Sequence, residues 1–203
     1  MALDFVNKRW HFSFMIRLKE TKSDRTRSAI LDAARRIFAT EGYERSTIRD
    51  IAAAAAIDPA MVIRYFHSKE ELFGRIADFD LRLPDPASID RDRIGEALVT
   101  HFLDIWEGEN AVPGLVVMIR SAASNEFAAQ KVHEVFSGQV LPMLTSIGEP
   151  ADARNRAGLV ASQLIGLAFG RYVIKFAPVV ALSRERIIRD IGATIQVYLT
   201  GKR

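Results

Sequence analysis

The sequence predicts an all-α fold, with an N-terminal three-helix helix-turn-helix domain and a larger C-terminal helical domain. Three observations predict this. From Thr47 to Lys69 the residues T-I-R-D-I-A-A-A-A-A-I-D-P-A-M-V-I-R-Y-F-H-S-K make two short helical patterns joined by a tight turn. Pro84 and Pro86 then interrupt the chain, as a domain boundary would. From Asp90 onward apolar residues recur at helical spacing and no strand-like alternation is present. The divisions that follow are an arm over 1–22, a small domain over 23–83 and a larger domain over 84–203.

The elements of the small domain can be taken in order. A first helix is predicted from about Asp24 to Thr40, with Ile30, Ala33, Ala34, Ile37 and Phe38 as its apolar stripe. Gly42 stands where a C-terminal cap belongs, and Tyr43 is expected to pack under the turn. Thr47 caps the second helix by accepting from an N–H near Asp50. Ile48, Ile51, Ala52 and Ala55 face inward, and the alanine run 52–56 lets another helix approach closely. Asp58-Pro59 starts the third helix, a capping residue followed by proline. Val62 and Phe66 point inward from it, leaving Met61, Arg64 and Tyr65 on other faces. Ser68 and Glu71 have capping-box spacing for a fourth helix reaching about Leu81. Leu72, Phe73 and Ile76 point from it into the small domain. Two short helices with a turn of a few residues make the unit whose second helix fits the major groove of DNA.

This stretch resembles the DNA-binding domain of the TetR family of one-component transcriptional repressors. The likeness covers 28–73. It rests on Ile30, Ala33, Ala34, Phe38, Gly42, Tyr43, Thr47, Ile51, Ala52, Tyr65, Phe66, Lys69, Glu70 and Leu72, in order and spacing. Two places depart from the family pattern. Ala56-Ile57-Asp58 stands where Gly-Val-Ser is usual, and Ile63 where a tyrosine is usual. An alanine at that turn needs a negative φ or carries strain, and Asp58 brings a negative charge toward the phosphates. The resemblance implies that Arg49 reaches a base edge, with forked donors suited to guanine. Pro59, Ala60, Met61 and Arg64 would front the recognition helix, Ala60 and Met61 against thymine methyls. Thr47, Tyr65 and Lys69 would hold phosphate. For Arg49 and Arg64 the alternative is a surface ion pair. For His67 a capping or surface role is expected.

In the C-terminal domain Ile94, Leu98, Phe102 and Ile105 mark one helix ending near Gly108. Pro113-Gly114 opens a short apolar helix through Ser121. Another helix starts near Glu126, and Pro142 inside it should kink or end it. Asp152 should cap a helix to about Ala177, rich in the small residues Gly158, Ala161, Gly166, Ala168 and Gly170, which favour close helix approach. Ser183 caps the last helix, with Ile187, Ile191, Ile195 and Leu199 four apart. Two such helices from two subunits would make a four-helix bundle. The resemblance implies that homodimer, with two heads on two half-sites of a near-palindrome. The alternative is that both stripes only close the subunit core.

The family plan also implies a ligand cavity in this ligand-binding and dimerisation domain. Candidates are Phe102, Trp106, Met118, Arg120, Phe127, Phe136, Gln163, Phe169 and Tyr172, although any one of these aromatics is more often plain core. Arg120 and Gln163 interrupt apolar helices and need a partner, which a ligand or another side chain can supply. The effector expected is small and hydrophobic or aromatic. A metal held by His101, Asp104 and His133 is the runner-up, although their spacing matches no strong motif. No cofactor is expected.

Composition narrows the function classes. Of 203 residues 49% are apolar, enough for a core, and 26% are charged, as in ordinary globular chains. The net charge of +3 does not by itself argue for nucleic acid. Seven basic residues against three acidic ones lie between Arg17 and Arg36, a lead-in that could meet phosphate or a minor groove, or simply be solvated. With no cysteine there is no disulfide, thiolate metal site or cysteine nucleophile, which fits a cytoplasmic protein. Asp4, Lys8, Arg9 and His11 break any secretion signal. The longest uncharged helical run, 157–170, is too short to span a bilayer. Phe5, Trp10, Phe12 and Phe14 belong either to an arm that folds onto the body or a partner, or to a segment ahead of a true start at Met15. No nucleophile–base pair, phosphate loop or carboxylate pair argues for an enzyme. A ligand-responsive DNA-binding repressor is the expectation. A dimeric small-molecule-binding module without DNA function is the alternative, and activator action stays open.

Overall fold

The computed structural model describes residues 21–109, 111–112, 114–147 and 150–201. The aromatic residues of the N-terminal arm, Met15, Arg17, Lys19 and Pro113 lie outside them. Among the described residues the regular structure is helical throughout, without a strand.

The head is α1 (Lys22–Arg45), α2 (Ile48–Ala54), α3 (Pro59–Phe66) and α4 (Lys69–Ala77). Thr21 and Asp24 cap α1 reciprocally. The helix breaks at Gly42, whose φ of 80° is the left-handed region, and a last turn runs on to Arg45. The predicted boundary at glycine is therefore a kink rather than an end. Thr47, Asp58 and Ser68 cap α2, α3 and α4 as expected. Ala56 takes a φ of 54°, so this turn keeps the left-handed conformation in spite of its side chain. Ile30, Ala33, Ala34, Phe38, Ile51, Ala52, Val62, Leu72 and Phe73 are fully buried together.

The fourth helix is shorter than predicted. It stops at Ala77, and residues 78–83 run on without helical structure. Tertiary hydrogen bonds compete with helix continuation there. The Gln139 side chain donates to Phe79 O at 2.9 Å and accepts from Leu81 N–H at 2.8 Å. His101 Nε2 lies 2.9 Å from Leu81 O.

The body comprises α5 (Ile94–Glu107), α6 (Gly114–Ala122), α7 (Glu126–Val135), α8 (Leu141–Thr145), α9 (Ala153–Ala168), α10 (Ala177–Val180) and α11 (Arg184–Thr200). Pro142 does not end its helix. A π-helical turn over Phe136–Val140 absorbs the missing N–H and joins α7 to α8. Asp152 makes no side-chain cap; its carboxylate accepts from Asn155 instead, at 2.6 Å. After α9 a second π turn, Phe169–Val173, ends the helix short of Ala177. Lys175 is at positive φ, and Phe176 N–H closes back on Gly170 O at 2.9 Å.

Two apolar cores result. One joins the head to α6 through Ile76, Ala77, Leu115, Val117, Met118 and Ile119. The other joins α5, α8, α9 and α11 through Leu98, Phe102, Leu144, Val160, Ile187, Ile195 and Leu199. Ile187, Ile195 and Leu199 thus close the subunit's own core. The closest helix approach is α5 on α11, where a Cβ on Gly95 would stand 2.1 Å from Gly192 O. Within the subunit the glycines of α9 make no such approach: a Cβ on Gly158 or Gly166 would meet nothing within 4 Å.

Candidate nucleic-acid interface and effector cavity

The outer face of the head is built by α2 and α3. Capping uses the hydroxyl of Thr47, which accepts from Asp50 N–H at 3.2 Å and donates to its carboxylate at 2.7 Å. Asp58 Oδ1 accepts from Ala60 N–H at 2.7 Å, so its charge is spent partly on the helix start. Arg49, Pro59, Ala60 and Arg64 are exposed and Met61 is half-buried. Among the described residues neither Arg49 nor Arg64 belongs to an ion pair, so the surface-pair alternative has no partner here. Ile63, where the family's tyrosine would stand, is also exposed.

Tyr65 is half-buried, with the Arg27 guanidinium 5.6 Å from its ring centre. Lys69 is turned inward: its ammonium donates to Tyr43 O at 3.0 Å and Ser46 O at 3.1 Å and lies 4.2 Å from the Tyr43 ring centre. Its first task is to bind the end of α1 to the start of α4. Tyr43 is buried against Phe38 and Phe73, and its hydroxyl donates to Glu70 at 2.9 Å. Burial, and then the Glu70 bond, push the Tyr43 phenol well above its ordinary range. The Glu70 carboxyl is lowered, first by its own backbone N–H and then by Tyr43. His67 is an exposed C-cap residue at a φ of 60°, as expected of a turn position.

Between the two cores lies a cavity of about 130 Å³. Of the candidate ligand residues, Phe102, Trp106, Met118 and Phe136 line it. The other candidates do not. Arg120 is exposed and points away from the cavity, donating to Ala39 O on α1. The kink at Gly42 leaves carbonyls at that end of α1 in need of donors, which is why an arginine suits the position. Phe127 packs edge-on to Phe73 instead. Gln163 and Phe169 are half-buried outside the cavity wall. Tyr172 stacks on Trp106 from behind, 4.7 Å between centres and 6° from parallel, with its hydroxyl 3.2 Å from Glu107. Burial and then Glu107 raise its phenol above the ordinary range.

His101, Asp104 and His133 do not converge: His101 faces Leu81 O, Asp104 pairs with Arg184 at 2.6 Å, and His133 is exposed. No metal-binding cluster occurs among the described residues. Sequence reasoning missed His101 as part of the cavity wall, together with Leu81, Leu83 and Val140. The signal was present, since His101 falls three after Leu98 and four before Ile105 on the inward stripe of α5.

A helix-turn-helix head seated on a helical body with an apolar cavity is the plan of a DNA-binding transcription regulator. Residues 30–76 match the family described as bacterial regulatory proteins, tetR family, and residues 92–199 match the tetracyclin repressor-like C-terminal domain. The chain belongs to the TetR family of transcriptional regulators, which are not enzymes. Among curated relatives, TcmR of Streptomyces glaucescens is 38% identical over 55 residues, 27% of this chain and 24% of that protein. A helix-turn-helix repressor of Mycobacterium tuberculosis is 38% identical over 58 residues, 29% of this chain and 31% of that protein. The match thus spans about a quarter to a third of these relatives. A TetR-family regulator of Streptomyces coelicolor A3 is similar in structure, with a TM-score of 0.59 and 29% identity over 89% of this chain and 98% of that one. No helix among the described residues is long and apolar enough to cross a membrane.

Proposed function

We propose that this regulator is a cytoplasmic repressor that binds a near-palindromic operator as a homodimer and is released by a small hydrophobic effector. Residues 23–83 act as the reading head, and residues 84–203 take the effector and dimerise. One observation carries the reading. The same apolar core that holds α2 and α3 in place also forms part of the cavity wall, through Leu81, Leu115, Met118 and Ile119. A molecule that enlarges the cavity therefore pushes on the head's own foundation, and an effector can only act through such a difference between states. Arg49 and Arg64 read bases, Pro59, Ala60 and Met61 make apolar contact, and Thr47, Tyr65 and Lys69 fix phosphates.

The apolar side chains left outside both cores supply the dimer face. Leu159, Ile165, Ile174, Phe176 and Val180 are between 41 and 53% exposed, with Gly158 and Gly166 open beside them. This puts α9 and its C-terminal turn at the centre of the bundle, with α11 flanking it. The testing experiment is selection of genomic fragments by the purified protein and by Arg49→Ala at one salt concentration. Enrichment of a short inverted repeat by the wild type alone supports the reading. Enrichment of nothing by either protein, with no compound added, favours a dimeric binding module without DNA function, for which Asp58 and the exposed Ile63 are the supporting features.

A further inference from the structure

The start of α1 reaches beyond the head's core. None of residues 22–29 is buried, and the core begins at Ile30. This overhang carries Lys22, Arg25 and Arg27 against Asp24. Arg27 stands on the inward stripe of the helix, three residues before Ile30 and seven before Ala34. The next turn meets apolar side chains, but this one meets the recognition helix. The Arg27 guanidinium lies over the Tyr65 ring, 5.6 Å from its centre, a cation–π contact. Such a contact holds the side chain through the face of the guanidinium and leaves its N–H donors, which lie in the plane, free. Among the described residues Arg27 belongs to no ion pair. Asp24, one turn earlier, is engaged in its own cap, accepting from Thr21 N–H at 3.1 Å and from the Thr21 hydroxyl at 2.7 Å.

The place of Tyr65 on α3 gives this cation a direction. Val62 and Phe66 are buried beneath α3, Ala60 and Arg64 are exposed on its outer face, and Tyr65 lies half-buried on the flank between. A helix with its side chains is about 10–12 Å across and fills a major groove of about 12 Å. When the outer face of α3 meets base edges, its flanks run beside the phosphate backbones. A guanidinium stacked on the flanking ring stands at the edge of the groove, where the nearest DNA group is a phosphate rather than a base.

We infer that Arg27 is a phosphate-binding residue, aimed by the Tyr65 ring at the DNA backbone beside the recognition helix. The inference rests on the reading of the head as the DNA-binding unit. The contact adds affinity and fixes register, and it carries no base choice. In this it differs from Arg49, whose replacement should relax sequence preference.

The test is fluorescence anisotropy of the full chain on a mixed-sequence duplex of about 30 base pairs, at salt concentrations between about 50 and 200 mM. Each phosphate contact contributes about −0.9 to the slope of log K against log salt, so Arg27→Ala should make the slope shallower by about 1 for each subunit bound. Arg27→Lys keeps a cation and should retain the slope. Arg27→Gln keeps the stem against the ring and should lose the slope as alanine does, which covers the case in which the alanine variant misfolds. Arg93→Ala removes the same charge just ahead of α5, whose other end carries Ile105 into the core shared with the head. It should leave the slope unchanged. Replacing Arg27 should cost less affinity in a Tyr65→Leu background than in Tyr65→Phe, which keeps the ring. Equal costs in the two backgrounds overturn the role of the ring. A lowered denaturation midpoint with an unchanged salt slope in Arg27→Ala makes the contact purely structural and overturns the inference alone. An equal loss of slope in Arg93→Ala overturns it too, since net charge then accounts for the effect. If the wild type binds no duplex, the DNA-binding reading of the head fails and this inference fails with it.

Discussion

The carboxamide of Gln139 brackets Leu81: it accepts the Leu81 N–H at 2.8 Å and donates to Phe79 O two residues earlier at 2.9 Å. Gln139 sits on the π turn that also carries Phe136 and Val140 into the cavity wall. One side chain therefore ties the cavity to the segment that leaves the head. Gln139→Ala leaves two backbone groups without partners beside the buried Leu81, at a cost of about 2 kcal/mol. Urea denaturation should show that loss, and gel-shift assays should show weaker release of DNA by effector. Unchanged stability would mean that the bracket is not a restraint.

Ala56 is held at a φ of 54°. An L side chain there costs about 1 kcal/mol that glycine avoids. Ala56→Gly should stabilise the head slightly, by about 0.5 kcal/mol at most once the extra chain entropy is counted, seen as a raised denaturation midpoint. A lowered midpoint contradicts the left-handed turn.

Gly95 faces backbone, with Gly192 O and Gln196 N within 2.1 and 2.7 Å of where a Cβ would stand. Neither atom belongs to a flexible side chain, so α5 and α11 must separate. Gly95→Ala is expected to cost about 3 kcal/mol, at the upper end of overpacking effects. Thermal unfolding followed by circular dichroism measures this directly.

Leu159 is 51% exposed on α9. Leu159→Lys should leave helicity unchanged and halve the mass seen by light scattering at micromolar concentration. A mass unaffected by the charge removes α9 from the dimer face.

Tyr43 and Glu70 give the head two pH limits. The Tyr43 phenol is raised above its ordinary 10.0, so its contribution is complete below pH 10.0 and is lost as pH rises beyond it. The Glu70 carboxyl is lowered from 4.5, so its contribution is present above that value and is lost as acid protonates it. Tyr43→Phe should flatten the stability curve at both ends. A variant whose alkaline limb matches the wild type would rule out the phenol as its cause.

Most of the helix starts were legible because their signals are local. Thr47, Asp58, Ser68 and Ser183 cap helices within a few residues of themselves, and each makes the expected bond. Arg120 and Asp152 were misread for the opposite reason. Both are polar interruptions whose partners, Ala39 O and Asn155, are settled by helix ends and neighbours rather than by the surrounding pattern. The glycines of α9 lie open within the subunit, because composition cannot tell a crossing inside one chain from one between two. The close crossing lies at Gly95 and Gly192, 97 positions apart in the chain.

By itself the sequence determined the all-α class, the helix starts, the order of the head and its family. These depend on caps, periodicity and turn residues, whose energies act within one or two helical turns. Only the tertiary structure decided where α4 stops, which aromatics face the cavity, and that His101 binds Leu81 O beside it. Each of those outcomes is a competition between partners distant in the chain. The π turn that brings Gln139 to Leu81, 58 residues away, carries no local signature beyond a single proline.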